Sequence, residues 1–400
     1  MSEHSRLVLT PSMQRTPLVL IAIGAIALVV GLVVSPERTW MNLLVDGFYV
    51  LSIGVSAIFF FATQRLSSAR WSAPIRRIPE AIMRVLPAAA VLMVVLTFGF
   101  HTLYPWTHPE AMHDAHELVT PGHASYLAPS FVYTRMVIII TLWLFFAWRI
   151  RKISIASDAS REAGLAAHPK FNRVAALFVP IFALTFTAAA YDWIISLDPK
   201  WFSTMFGVYV FAGSFVQGVA AIALTTILLR KKRLFGAQQP LIDNHVQSTL
   251  GTMLLAFSTF WAYIWVCQYL LIWYGNIPEE VTYYLRRSSA PWLPVFLGSF
   301  VINWVIPFFT LLPRSSKRSM KIMIGVCMLV LAGRWLDLYI MVMPEQWTSP
   351  HVGPLELAMA AGAGGLIYLI VIRGLSRAPL VPPHEPVLAQ RHAHAPEGAS

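Results

Sequence analysis

Long apolar segments alternate with short polar ones along most of the chain. A helix needs about 20 mostly apolar residues to cross a bilayer, and helices and closed barrels are the structures that satisfy their backbone hydrogen bonds there. The pattern therefore predicts an all-α integral membrane protein. Ten spans are expected, at 17–35, 41–63, 80–103, 129–150, 172–196, 202–229, 246–274, 289–312, 320–343 and 354–374.

The composition of the 400 residues agrees with this pattern. Hydrophobic residues make up 57% of the chain and charged residues 12%, and the mean hydropathy is +0.62, which is too apolar for an ordinary soluble core. The net charge of +11 alone would also fit a nucleic-acid-binding protein. In a membrane protein, however, an excess of Lys and Arg orients the chain against an anionic cytoplasmic leaflet, so we expect no nucleic acid partner.

Basic residues accumulate in alternate loops. Most of the 30 Lys and Arg residues fall in the termini and in the loops after spans two, four, six and eight. Because such loops stay in the cytoplasm, we predict that both termini are cytoplasmic. Residues 1–16 then form an N-terminal segment, residues 17–375 a membrane domain, and residues 376–400 a disordered cytoplasmic tail. The first span is long for a signal peptide and lacks a small-x-small cleavage site after it, so we expect it to be retained.

Seven ionisable residues lie within predicted spans or at their ends. An ionisable side chain at the centre of a span costs about 2.5–3.5 kcal/mol on insertion scales, so each is a candidate for function. With the predicted orientation, all seven fall in the outer half of the membrane. They are Asp46, His101, Arg135, Asp192, Arg334, Asp337 and Glu356.

These residues also have structural interpretations. Arg334 and Asp337 are three positions apart, share a helical face and can form an internal ion pair. Asp46 and Glu356 lie nearer the interface and can serve as hydrated caps. Arg135 lies about two turns inside its span and needs a carboxylate or another polar partner. The candidates for that partner are Asp192, Asp337 and Asp46.

Polar residues in the cytoplasmic half are fewer. Gln217 and Asn303 lie in the middle of their spans, and His245 precedes the seventh span. These three residues could line a hydrated half-channel or make hydrogen bonds between helices.

The Cys and His residues argue against several cofactors. Cys267 and Cys327 lie in apolar segments without a CxxC or CxxCH motif, so we expect no disulfide framework, iron–sulfur cluster or covalently bound haem. Haem b in a helical bundle needs paired His at mid-membrane depth, and only His101 and His245 touch a span, at opposite ends. We predict no metal. The outer-loop segment HDAHE, residues 113–117, can be read as a metal site or as a polar loop.

The hairpin between spans five and six, at 191–202, carries two aspartates. Asp198 precedes a proline and has the N-cap signature of a new helix. Trp193 and Trp201 are expected to be interfacial anchors. Asp192 remains inside span five and is the residue of this hairpin best suited to chemistry.

The run YDWIISLDPKWFSTMFGVYVFAGSFVQG, residues 191–218, resembles the signature region of the ActF-type membrane subunit of bacterial alternative complex III, a quinol:cytochrome c (or other acceptor) oxidoreductase. The resemblance extends to the ten spans, the long outer loop after span three and the Arg-x-x-Asp pair of a late span. More broadly, the chain is similar to the NrfD-like membrane subunits of polysulfide-reductase-type enzymes.

This resemblance implies two up-down four-helix bundles, at about 41–196 and 202–343, with flanking helices at 17–35 and 354–374. It implies a subunit of the bacterial cytoplasmic (inner) membrane with no haem, iron–sulfur cluster or other covalently bound cofactor of its own. The implied partners are a larger NrfD-like membrane subunit, an iron–sulfur subunit and c-type cytochrome subunits.

The resemblance carries over Asp192, Arg334 and Asp337 as positions that match its motifs, without assigning them roles. All seven outer-half residues are candidates for proton conduction or for a quinol site. Whether the subunit binds quinol itself stays open, because the larger sister subunit is the better candidate for quinol oxidation. Two alternatives remain. A stand-alone secondary transporter would have the same ten spans and basic loops. A purely structural scaffold could be distinguished from the respiratory subunit only by mutagenesis.

Overall fold

The computed structural model describes residues 6–108 and 121–388, which form helices without any β-strand. In these ranges, ten helices are long and apolar enough to cross a membrane, so the predicted all-α, multi-pass membrane protein is confirmed. They are α1 (Pro11–Val34), α2 (Pro36–Leu66), α3 (Arg77–Leu103), α4 (Pro129–Ala156), α5 (Arg161–Leu197), α6 (Phe206–Lys231), α7 (Asn244–Gly275), α8 (Leu293–Leu311), α9 (Met320–Glu345) and α10 (Pro354–Ser376).

Several helices begin or end a few residues away from their predicted bounds, and the start of α5 differs most. Helix α5 begins well before residue 172, because the Ser160 side chain accepts a hydrogen bond of 3.1 Å from the Ala163 amide and caps a polar first turn. Helix α6 begins at Phe206 rather than at residue 202. Asp198 is not its N-cap: the carboxylate accepts from the Lys200 amide at 3.1 Å and pairs with Arg286 at 2.9 Å.

A further helix, Pro278–Ser288, lies between α7 and α8 and was not predicted. It is amphipathic and too short to cross a membrane. Its Arg287 is fully buried and donates hydrogen bonds to the carbonyl oxygens of Ile340 and Met341, at 3.0 and 2.8 Å. This helix therefore covers the end of α9 that follows Asp337.

The ten helices form two four-helix rings and one flanking pair. In the ring α2–α5 each helix contacts the next one and α5 closes onto α2, and the ring α6–α9 repeats this arrangement. Helices α2 and α6 pack on each other at the junction of the rings and are the most buried of the ten. Each ring is thus a bundle of four helices.

Helices α1 and α10 pack tightly along a seam of glycines outside the rings. A Cβ atom at Gly24 would lie 2.7 Å from the Cα of Gly362, and one at Gly365 would lie 2.9 Å from the Pro17 carbonyl oxygen. Small residues let helix backbones approach this closely in membranes. This pair then packs on the first ring through α2 and α3.

The segment after α10 corrects part of the predicted disordered tail. Residues 377–388 pack on the protein, with Leu380, Val381 and Leu388 buried. Glu385 is also buried, because its carboxylate lies against the side chains of three residues: Arg65 at 3.1 Å, His168 at 2.9 Å and, in the closest contact, Arg76. The rest of the predicted tail, residues 389–400, lies outside the described residues, as do residues 1–5.

The Glu385→Gln substitution is expected to release this segment at neutral pH. Burial raises the pKa of Glu385, but the hydrogen bond with His168 and the charges of Arg76 and Arg65 outweigh it and hold the pKa at about 2, below the ordinary 4.5. The charged form is thus the one that stabilises the packed segment. Losing one partner of a buried ion pair costs about 3–5 kcal/mol.

Limited digestion with a carboxypeptidase measures this release. The variant is expected to lose the C-terminal segment at least tenfold faster than wild type at pH 7, whereas Glu279→Gln, an exposed glutamate without an ion pair among the described residues, leaves the rate unchanged. The contribution of Glu385 is complete above about pH 4.5 and is lost as the pH falls towards 2. Equal digestion of both variants would contradict the pairing.

Candidate functional site

The fourth helix of each ring carries a buried aspartate near the end predicted to face outward. Asp192 lies on α5 and is fully buried, and Asp337 lies at the corresponding place on α9, with 2% exposure. Each of them is paired with an arginine. The repeated arrangement follows from the repeated topology, since α5 and α9 run in the same direction through their rings.

Arg135 of α4 binds Asp192 with both ends of its guanidinium. Its Nε and Nη2 atoms each donate to a carboxylate oxygen at 2.8 Å, which is the bidentate geometry of a strong charge-assisted pair. Of the three partners that the sequence allowed for Arg135, the structure selects Asp192. The guanidinium carbon lies 3.8 Å from the ring centre of Tyr126 and 4.3 Å from that of Phe131, so aromatic faces cover the pair.

Arg334 and Asp337 form the internal ion pair that their spacing predicted. The hydroxyl of Tyr209, on α6, donates to the second oxygen of Asp337 at 2.6 Å, so the carboxylate joins two helices of the second ring. Gly213 makes room for this arrangement, because a Cβ atom there would fall on the guanidinium of Arg334. The close approach of α6 to α9 thus depends on one glycine.

Asp46 of α2 differs from the other buried carboxylates. Its Oδ1 atom accepts a hydrogen bond of 2.8 Å from the indole nitrogen of Trp335, a neutral donor. Within the described residues no basic side chain pairs with it, although it is only 4% exposed. The other buried carboxylates all pair with arginines: they are Glu80, Asp192, Asp337, Glu356 and Glu385.

Asp46 also lines a small cavity between the first ring and the flanking pair. The cavity measures about 160 Å³, and Asp46 is the one ionisable residue in its wall. The apolar wall comes from α1, α2, α3 and α10, and includes Ile21, Leu43, Leu92, Met359 and Leu366. A carboxylate in such a place has no fixed countercharge and has space beside it.

The two remaining outer-half candidates, Glu356 and His101, differ in their surroundings from the three buried aspartates. Glu356 binds Arg38 at 2.5 and 2.7 Å, accepts from the Asn42 side chain at 3.0 Å, and accepts from the Gly353 amide at 2.8 Å, so it fixes the beginning of α10. It is therefore a buried anchor rather than a hydrated cap. His101 is exposed, and its ring faces the neighbouring His108 at 5.6 Å.

The three cytoplasmic-half candidates bind different partners, and no hydrogen bond joins them to each other in the described part of the chain. Gln217 is buried and links α6 to Ser52 and the Tyr49 carbonyl of α2. Asn303 donates to the Gly333 carbonyl at 2.9 Å from a π-helical turn, a local irregularity often found at functional sites. His245 is exposed in the first turn of α7. This geometry favours hydrogen bonds between helices over a half-channel.

The two tryptophans of the hairpin are not interfacial anchors. Trp193 is fully buried beside Phe48 and Trp143, and Trp201 is 2% exposed and stacks on Tyr283 at 4.2 Å. Both rings pack inside the protein, because the helix Pro278–Ser288 and the first ring enclose the hairpin. The exposed aromatic side chain of this hairpin is Phe202 instead, at 55% exposure.

A second buried charge cluster, at the opposite end of the first ring, was missed. Glu80 is fully buried and pairs with Arg77 at 2.8 Å and with Arg76 at 3.2 Å, and Ser154 donates to it at 2.5 Å. The run RRIPE contained the signal, since its two arginines are three and four positions before the glutamate and share its helical face.

Comparisons with known proteins leave the family open. No family model matches the chain, and no curated protein matches it significantly. Among the described residues, no group of three or more His, Cys, Asp or Glu side chains could hold a metal ion. The HDAHE segment lies outside the described residues.

Proposed function

We propose that the protein is the ActF-type membrane subunit of a bacterial quinol:electron-acceptor oxidoreductase of the alternative complex III class, located in the inner membrane. In this proposal it anchors the complex beside a larger NrfD-like subunit and handles protons on the outward side. The similarity of residues 191–218 and the Arg-x-x-Asp pair at Arg334 support the family, and the two-ring fold agrees with it.

The observation that carries the proton-handling role is the carboxylate of Asp46, which pairs with no basic side chain in the described part of the chain. An aspartate that is bound on both oxygens by an arginine, as Asp192 is, cannot take up a proton without breaking that pair. Asp46 has a neutral hydrogen-bond donor and an adjoining cavity instead. It can therefore gain or lose a proton without breaking an ion pair, as a proton relay requires.

Quinol oxidation needs a group that can take up a proton and release it again. Oxidation of one quinol to quinone releases two electrons and two protons. The electrons pass to the electron-transfer partners of the complex, and each proton must reach a base before it can leave on the outward side. The Asp46 carboxylate accepts a proton as it becomes a carboxylic acid and regains its charge when that proton moves on to water. Trp335 holds the carboxylate in place through its indole N–H group.

Purification in a mild detergent tests membership of the complex. We expect the protein to co-purify with an iron–sulfur protein, c-type cytochromes and a larger membrane subunit, identified by mass spectrometry and by the absorption bands of haem c. Recovery as a lone monomer that moves a solute across liposome membranes would instead support a secondary transporter and overturn the proposal.

A further inference from the structure

A second and larger cavity lies where the two rings meet the flanking pair. It measures about 370 Å³, which falls in the range of about 300–1,000 Å³ that is usual for small-molecule sites. Helices α2, α6, α9 and α10 supply most of its wall. The rest comes from Leu7, from Met13 of α1, from Ile82 of α3, and from Lys232 and Leu234 after α6. None of the outer-half candidate residues lines it.

The wall of this cavity is almost entirely apolar. It includes Ile53, Leu224, Leu331, Ile367 and Val371. Three residues of the wall carry hydroxyl groups: Tyr49, Thr225 and Tyr368. The Tyr49 hydroxyl already donates to the Leu331 carbonyl oxygen at 3.0 Å, and Tyr368 is 42% exposed. The interior therefore fits a hydrocarbon chain better than a head group that needs hydrogen bonds.

The rim of the cavity carries a positive charge. Lys232 directly follows the last residue of α6 and is the one charged residue among those that line the cavity. It is exposed, and so are its neighbours Lys231 and Arg233. The end of a spanning helix lies at the depth of the lipid head groups, where an ammonium group attracts anionic phosphates.

We propose that this cavity binds one acyl chain of an anionic phospholipid, whose phosphate group lies at Lys232. The apolar wall takes the chain and the lysine selects the charge of the head group. A lipid in this position contacts both rings and α10 at once, so it joins the flanking pair to the core of the protein. The site does not depend on the proposed respiratory function, since it shares no residue with the Asp46 cavity.

Native mass spectrometry of the full-length protein in detergent, titrated with phosphatidylglycerol and with phosphatidylcholine of the same chain length, tests the site. Wild type is expected to bind phosphatidylglycerol at least fivefold more tightly than phosphatidylcholine, because this is about the gain in affinity for an anionic lipid that one lysine adds. Lys232→Glu is expected to abolish this preference. Lys231→Glu is the matched control, because Lys231 is adjacent and exposed but does not line the cavity, and it is expected to keep most of the preference.

A second variant tests the chain-binding part without changing any charge. Leu224→Trp places a larger ring into the wall, so it is expected to weaken binding of both lipids while the preference for phosphatidylglycerol persists. Equal affinity of wild type for the two lipids, equal loss in the two lysine variants, or displacement of the bound lipid by a quinone analogue would each overturn the proposal.

Discussion

Under the proposed function, the Asp46→Asn variant is expected to lose most of the proton-coupled quinol oxidation while its assembly stays intact. Asparagine has nearly the same shape and keeps an oxygen that can accept the hydrogen bond from Trp335, so the contact between α2 and α9 is retained. It cannot take up a proton, however. Positioned proton-transfer groups contribute about 10²–10⁴-fold to rates, so we expect a loss of about a hundredfold in quinol turnover of the purified complex.

Two control variants separate this effect from a structural one. Trp335→Phe removes the indole donor but leaves the carboxylate, so it is expected to shift the pH profile of turnover without abolishing turnover. Glu356→Gln changes another buried carboxylate, one that is held by Arg38, and is expected to lower thermal stability more than turnover at the temperature of assay. If Asp46→Asn retains wild-type turnover and proton release, Asp46 is a structural residue.

The Gly213→Ala variant is expected to unfold at a much lower temperature than wild type. The added methyl group would occupy the position of the Arg334 guanidinium, which can move only by giving up its pair with the buried Asp337. Breaking a buried ion pair costs about 3–5 kcal/mol, and a methyl group forced into a packed core adds about 1–3 kcal/mol. Thermal unfolding in detergent measures the loss.

Gly325→Ala is the matched control for this prediction. Gly325 lies on α9 as well, but a Cβ atom there meets open space, so no destabilisation of this kind is expected. In a background that carries Arg334→Met and Asp337→Leu, the Gly213→Ala change is expected to cost less than half as much, because the guanidinium is gone. An undiminished cost in that background would show that the methyl group disturbs a different contact.

Most of the fold could be predicted from the sequence, because apolar runs and residue spacing within a helix are local signals. Runs of apolar residues located the ten spans, and the spacing of Arg334 and Asp337 placed both on one face of one helix. Helix starts were less certain where the first turns are polar. The Ser160 cap of α5 extends that helix beyond the apolar run on which its prediction depended.

The candidate site was predictable only in part, because it is built from contacts between helices. The sequence reduced the partners of Arg135 to three aspartates but could not choose among them. Asp46 and Trp335 are 289 positions apart, so nothing in the local pattern indicates that the aspartate meets an indole rather than a cation. The residue that the sequence favoured for chemistry, Asp192, is instead held by an arginine on both oxygens.

The glycine seam between α1 and α10 has a consequence for how the protein is made. Helix α1 leaves the ribosome before α2–α10 and packs mainly on α10, so it must wait in the membrane until α10 has been synthesised. It is the most apolar of the ten spans and the least buried within the protein, which suits a helix that is held by lipid alone during that time. Pairing of α1 with α10 therefore follows the synthesis of the eight helices between them.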